Sequence, residues 1–93
     1  MKFISTWTPR PETRKAAIEN FLAGKAAVLP AGVTTLGRWH KADGSGGFTL
    51  YESESAEAMY EIAAFWAQFM DVETIPVIED AAAGATLTKL FKS

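Results

Sequence analysis

The sequence predicts an α+β domain, with four strands in one antiparallel sheet, two helices on one of its faces and a short C-terminal helix. Three observations predict it. Four short runs rich in β-branched and aromatic residues are set apart by turn and helix signals. Two intervening stretches carry apolar residues at helical spacing. The middle two β runs are joined through KADGSGG, a glycine-rich segment that reads as a hairpin turn.

The first strand is KFISTWT, residues 2–8, closed by the prolines of PRPE. From Pro11 a helix of about three turns follows, with Ala17, Ile18, Phe21 and Leu22 on one face, proline at its start and Gly24 at its end. VLPAG is a loop. VTTLGRWH and FTLYE then form a hairpin with Asp43-Gly44 at its tip. Ser55 caps a second helix whose stripe, Met59, Ile62, Phe65, Trp66 and Phe69, faces inward, while Glu57, Glu61 and Gln68 face water; it should stop near Met70. VETIPVIE is the fourth strand. Pro76 lacks the N–H that an inner ladder position needs, so this strand belongs at an edge. Leu87, Leu90 and Phe91 fall at helical spacing in a final Ala-rich segment that Gly84 weakens.

The order β-α-β-β-α-β fits the ferredoxin-like, split β-α-β arrangement, in which the fourth strand is an edge. The chain, residues 1–93, reads as a single domain of that kind. A sheet covered by helices on one side retains a second face, and here that face carries Ile4, Leu36 and Tyr51 on the register argued next. A homodimer closed through it is expected.

Composition narrows the partners. At 48% hydrophobic and 22% charged residues the chain is expected to fold rather than stay disordered. A formal net charge of −2 supplies no broad basic surface, so nucleic acid is not an expected partner. No run of eighteen apolar residues occurs, and a cytoplasmic protein without a membrane partner is expected. Without cysteine there is neither disulfide nor thiolate, and one histidine cannot build a multi-histidine metal cage, so no metal is expected.

The candidate site lies in GRWHKADGSGGF. With Asp43-Gly44 as a two-residue type I′ turn, Trp39 opposes Phe48 and Gly37 opposes Leu50. Val33, Gly37, Trp39, Phe48 and Leu50 then share the face expected to pack on the helices, and Trp39 is core. Leu36, Arg38, His40, Thr49 and Tyr51 take the other face, turned toward a partner sheet or a lumen between subunits. A bulge at Gly46-Gly47 would exchange the two. Arg38, His40 and Tyr51 are the ligand-binding candidates, because a guanidinium and a phenol together hold a carboxylate or phenolic ligand, and histidine titrates near neutrality. The competing reading makes Arg38 and His40 interface residues satisfied by protein groups. No residue is assigned a catalytic role: no serine stands in a nucleophile elbow, and Glu79-Asp80 better complement a helix dipole than share a proton. GSGG lacks the spacing of a phosphate-binding loop.

Across nearly the whole chain, FISTWTPRPETRKAAIENFL, GVTTLGRWHKADGSGGFTLYES and VETIPVIED resemble an uncharacterised family of short bacterial and phage proteins, a domain of unknown function. Gly37-Arg38-Trp39-His40 and the Pro76-Val77 strand ending in Glu79-Asp80 are the most recognisable parts. That family is similar to the dimeric α+β-barrel superfamily, which implies two ferredoxin-like subunits joining their sheets into a barrel. The superfamily includes cofactor-independent monooxygenases, haem-degrading enzymes, isomerases and stress-responsive proteins, so the fold transfers no chemistry. The haem-degrading pattern needs an asparagine on the first strand and a helical histidine. Here that strand has Ser5 and Thr6, His40 is on a strand and only Trp66 matches, so no cofactor is expected. Three readings remain: a homodimer binding a small, partly apolar molecule; a cofactor-independent monooxygenase- or isomerase-like enzyme with His40 as proton acceptor; and a structural or interaction protein with a packed barrel.

Overall fold

A computed structural model describes residues 1–92, and the elements follow the expected order. Strand β1 spans Lys2–Pro9, helix α1 Arg14–Leu22, β2 Thr34–His40, β3 Gly47–Glu52, α2 Ala56–Trp66, β4 Met70–Val77 and α3 Asp80–Phe91. The four strands form one antiparallel sheet in the order β2-β3-β1-β4. This is the ferredoxin-like arrangement, and β4 is an edge, where Pro76 removes no inner ladder bond. Among the described residues no helix is long and apolar enough to cross a membrane.

Local chemistry sets the helix boundaries. A single 3₁₀ turn over Pro11–Thr13 precedes α1, and Gly24, at φ 83°, turns the chain out of it in the left-handed region. The Ser55 side chain accepts from the Ala58 N–H at 3.1 Å and caps α2. That helix ends at Trp66, a turn earlier than its apolar stripe suggests, because Phe69 and Met70 already lead into β4. Strand β4 accordingly begins at Met70 and ends at Val77, two residues ahead of the VETIPVIE run.

The hairpin has the expected register with a different turn. Trp39 pairs with Phe48 and Gly37 with Leu50. However, Asp43 does not take the positive φ that a type I′ turn demands. The Gly44 N–H instead donates to the Lys41 carbonyl at 2.9 Å, and the Lys41 N–H to the Gly46 carbonyl at 2.8 Å. The Asp43 carboxylate accepts from the Ser45 N–H and hydroxyl, which holds the wider loop and keeps that carboxyl below the usual carboxylate range.

The two sheet faces are exchanged relative to the sequence reading. Arg38, His40, Thr49 and Tyr51 look toward the helices, whereas Trp39 and Phe48 lie on the open face, 50% and 41% exposed. Trp39 is therefore not core. Its ring stacks on Phe48 at 5.2 Å between centroids and lies over Gly37, where any Cβ would meet it at 2.3 Å. The reason is β1, which contributes Phe3 opposite Tyr51 and Ser5 opposite Thr49 to the helix side. Phe3, Tyr51, Met59 and Ile62 form the buried core, with Leu29, Val33 and Trp66 packed against it. A bulge breaks the alternation in β2, falling between Thr35 and Gly37 rather than at Gly46-Gly47. It places Val33 on the helix side and leaves Leu36 46% exposed.

The glycine pair has another task. Gly46 adopts φ 151°, and a Cβ there would sit 2.1 Å from the Trp7 carbonyl oxygen; one on Gly47 would fall 2.5 Å from the Trp7 ring. Both let β1 and the hairpin close around Trp7. Gly46→Ala should destabilise the fold by about 2–3 kcal/mol in urea unfolding, because both the backbone conformation and the space forbid a side chain. A loss below about 0.5 kcal/mol, the level of ordinary surface changes, would mean that this approach is not required.

The helices cover their face unevenly. Only Ala17 of α1 is buried, and Ile18, Phe21 and Leu22 are 40%, 40% and 75% exposed. No residue of α3 is buried, and Leu87, Leu90 and Phe91 are 55–79% exposed. The shape is consequently extended, 53 × 31 × 17 Å with a radius of gyration of 15.6 Å, against about 12 Å for a compact chain of this length.

Candidate functional site

A sheet face roofed by helices should be apolar at its centre, and here one complete row is polar. Arg38 on β2, Thr49 on β3, Ser5 on β1 and Thr74 on β4 are successive cross-strand neighbours. Thr49 and Ser5 are 2% and 6% exposed. The Thr74 hydroxyl donates to Ser5 Oγ at 3.0 Å, and the Trp7 indole N–H donates to Thr49 Oγ1 at 3.4 Å. Tyr51 flanks this row on one side, and Trp7 and His40 flank it on the other.

Above the row lies a cavity of about 330 Å³ bounded by α1, α2 and the sheet, within the range of small-molecule sites. Arg38, His40 and Tyr51 all line it. Its apolar walls include Ile18 and Phe21 from α1, Ile62 and Trp66 from α2, and Met70 and Val72 from β4. Trp66 is thus both core neighbour and wall, whereas Phe69 is not part of the lining.

Polar groups within it are incompletely satisfied by protein. Arg38 donates from Nη2 to the Ala26 carbonyl at 3.3 Å and, among the described residues, pairs with no carboxylate. Arg14 also lines the cavity, and no aspartate or glutamate does. Tyr51 is 4% exposed, and its hydroxyl has no hydrogen-bond partner among the described residues. Since none of their sealed side-chain N or O atoms lacks a partner, that hydroxyl opens into the cavity. A phenol that faces a cleft without a protein partner is a donor open to a ligand.

His40 stands at the hairpin end of the cleft. Its imidazole lies edge-on between Trp7 and Phe21, with ring centroids 5.0 and 5.1 Å away. It is positioned by aromatic packing from β1 and α1, not by a hydrogen-bonded carboxylate among the described residues. The same end of the sheet is anchored where β1 enters α1: Arg10 bonds Asp71 at 3.1 Å and the Ala67 carbonyl at 2.9 Å, and the Thr13 hydroxyl donates to the Phe69 carbonyl at 2.7 Å.

Glu79 and Asp80 stand outside this site at the start of α3. Lys2 donates to the Glu79 carboxylate and holds its carboxyl below the usual range, the opposite of what a general acid at neutral pH requires. Among the described residues no cluster of three or more histidine, cysteine, aspartate or glutamate side chains is placed to hold a metal.

The sequence reading placed Arg38 and Thr49 on one face but missed Ser5 and Thr74, which complete the polar row. The one signal for it was parity along FISTW, which puts Phe3, Ser5 and Trp7 on a common face. That face is recognisable as the inner one only after Phe3 has met Tyr51.

Comparison with known proteins gives a family. The family model described as a domain of unknown function, DUF3303, matches residues 1–91. No protein of curated function matches the chain. Among solved structures, that of Rv0793 from Mycobacterium tuberculosis aligns with a TM-score of 0.46 at 17% identity, covering 86% of this chain and 96% of that one.

Proposed function

We propose for this chain, which belongs to the DUF3303 family over residues 1–91, the function of a cytoplasmic homodimer that binds a small, partly apolar acid in the cleft between sheet and helices. The observation that carries the reading is the polar row roofed by an apolar cavity, with Arg38 and Tyr51 both lacking an acidic partner. A core that served packing alone would place apolar side chains at Thr49 and Ser5, since a buried hydroxyl gains little over a well-packed methyl group. Arg38 supplies the anion contact, Tyr51 a neutral hydrogen bond, and Trp7, Phe21 and Trp66 the flat apolar walls. His40 closes the hairpin end by ring packing, and we assign it no proton transfer.

The open cavity favours this reading over a protein filled by its own side chains. Dimerisation draws support from a separate quantity. The chain exposes 6417 Å², whereas a compact monomer of its mass exposes about 5,300 Å². That excess is comparable to the roughly 800 Å² that each partner contributes to a standard interface. The open sheet face, with Ile4, Leu50 and Ile75 in one row and Trp39 and Phe48 in the next, supplies its apolar centre.

Titration with an aromatic carboxylate such as 4-hydroxybenzoate tests the site, followed by the NMR signals of the His40 ring and the three tryptophan indoles. The signals of Trp7 and Trp66 should shift while Trp39, on the opposite face, stays still. Arg38→Ala should weaken binding roughly 10- to 100-fold, the loss of a hydrogen bond to a charged group. A broad panel of acids and phenols that moves none of these signals would reject the ligand site.

A further inference from the structure

A second cavity adjoins the first. It measures about 350 Å³ and lies between α2 and the segment joining α1 to β2. Three residues line both cavities: Ala26, Ile62 and Trp66. The remaining walls of the second are Val28, Leu29, Pro30 and Phe65, with Lys25 and Glu61 as its two charged residues. Val28 is 74% and Phe65 36% exposed, a large apolar exposure for a groove beside the core. The shared wall is also where Arg38 is tethered, through the Ala26 carbonyl. The guanidinium, bonded to that carbonyl and without a carboxylate partner among the described residues, therefore stands beside the wall that the two cavities share.

We propose that the two cavities form one bipartite site for an unbranched amphiphilic acid. Its carboxylate sits at Arg38 and Tyr51, and its alkyl chain passes the wall of Ala26, Ile62 and Trp66 into the groove at Val28 and Phe65. The proposal rests on the acid-binding reading above and adds the shape of the ligand to it. A compact aromatic acid fills the first cavity alone; an alkyl chain of sufficient length enters the second. Leu29 and Trp66, which close the groove, also pack against the core. Occupation of the groove is accordingly felt by the same side chains that wall the first cavity.

The test is a series of straight-chain carboxylates from hexanoate to dodecanoate, each below its micellar concentration, measured by calorimetry on the full chain. Affinity should rise about fourfold per added methylene once the chain enters the groove, and level off when the groove is full. Val28→Glu puts a carboxylate in the groove at a position already exposed, so the fold should tolerate it. It should abolish the gain with length while leaving hexanoate and 4-hydroxybenzoate binding unchanged. Affinity that is flat with chain length, or a length dependence that survives Val28→Glu, would overturn the bipartite site and leave the acid-binding reading standing. Long-chain binding that Arg38→Ala does not weaken would overturn it too, as adsorption without head-group recognition. Loss of binding for short and long acids alike in the wild-type protein would instead remove the reading on which it rests.

Discussion

Phe3→Ala should lower the free energy of unfolding by about 3–5 kcal/mol, the range for removing a buried phenyl ring and leaving a cavity. Phe3 is 6% exposed on a central strand, directly opposite Tyr51, and packs with Met59 and Ile62 in the buried cluster that joins α2 to the sheet. Backbone collapse into the space is opposed on the strand side, where β1 is hydrogen-bonded to both β3 and β4. The informative control is Trp39→Ala. A larger ring is removed there, yet it is half exposed and rests on Gly37, so the subunit fold should lose under about 1 kcal/mol, as for a surface change without a buried partner. Urea denaturation at a protein concentration low enough to keep both variants monomeric separates the two. Equal costs, or a larger cost at Trp39, would mean that the open sheet face is the true core side.

That contrast also shows what the sequence conveys and what it withholds. The strand order, the edge position of β4, the Ser55 cap and the pairing of Trp39 with Phe48 were all legible, since each depends on local chemistry: a proline without its N–H, a serine before an apolar stripe, a glycine-rich turn of fixed length. The assignment of faces was not. A half-buried sheet announces its inner face through alternation of apolar and polar residues, and this hairpin reverses the signal: its apolar set, Trp39, Phe48 and Leu50, lies on the open face, and its mixed set, Arg38, His40, Thr49 and Tyr51, on the helix side. The bulge at Leu36 then breaks the parity within β2 itself. Long-range pairing with β1 decides the matter, and no local pattern encodes it. Arg38, His40 and Tyr51 nevertheless share one face in the structure, because the register that unites them holds whichever way the sheet is turned. Ser5 remained hidden, and the burial of Thr49 with it, for the converse reason: short hydroxyl residues in a strand look like ordinary β formers until burial makes them costly.

The open face yields the other large effect. If the proposed dimer forms through this face, Ile4→Asp should convert it to a monomer at micromolar concentration, raising the dissociation constant at least 100-fold. Ile4 stands on the central strand β1 between Leu50 and Ile75, in the middle of the apolar row. A carboxylate placed there costs little in an exposed sheet and several kcal/mol in a dry interface where no cation faces it. Lys2 is the nearest basic residue along β1, and it is already committed to Glu79. A matched substitution on the helix side of the molecule, Tyr60→Asp at a residue 76% exposed, should leave the association unchanged and shows that an added negative charge alone is not responsible. Because the proposed contact is apolar, the wild-type dissociation constant should vary little between low and high salt, unlike an interface held by exposed ion pairs. Sedimentation of each variant, with circular dichroism to establish that the sheet persists, reads the outcome. A wild-type chain that sediments only as a monomer at these concentrations would leave the open face without a partner copy. An Ile4→Asp variant that still dimerises would move the interface off this face, with α3, whose Leu87, Leu90 and Phe91 are exposed, as the next candidate.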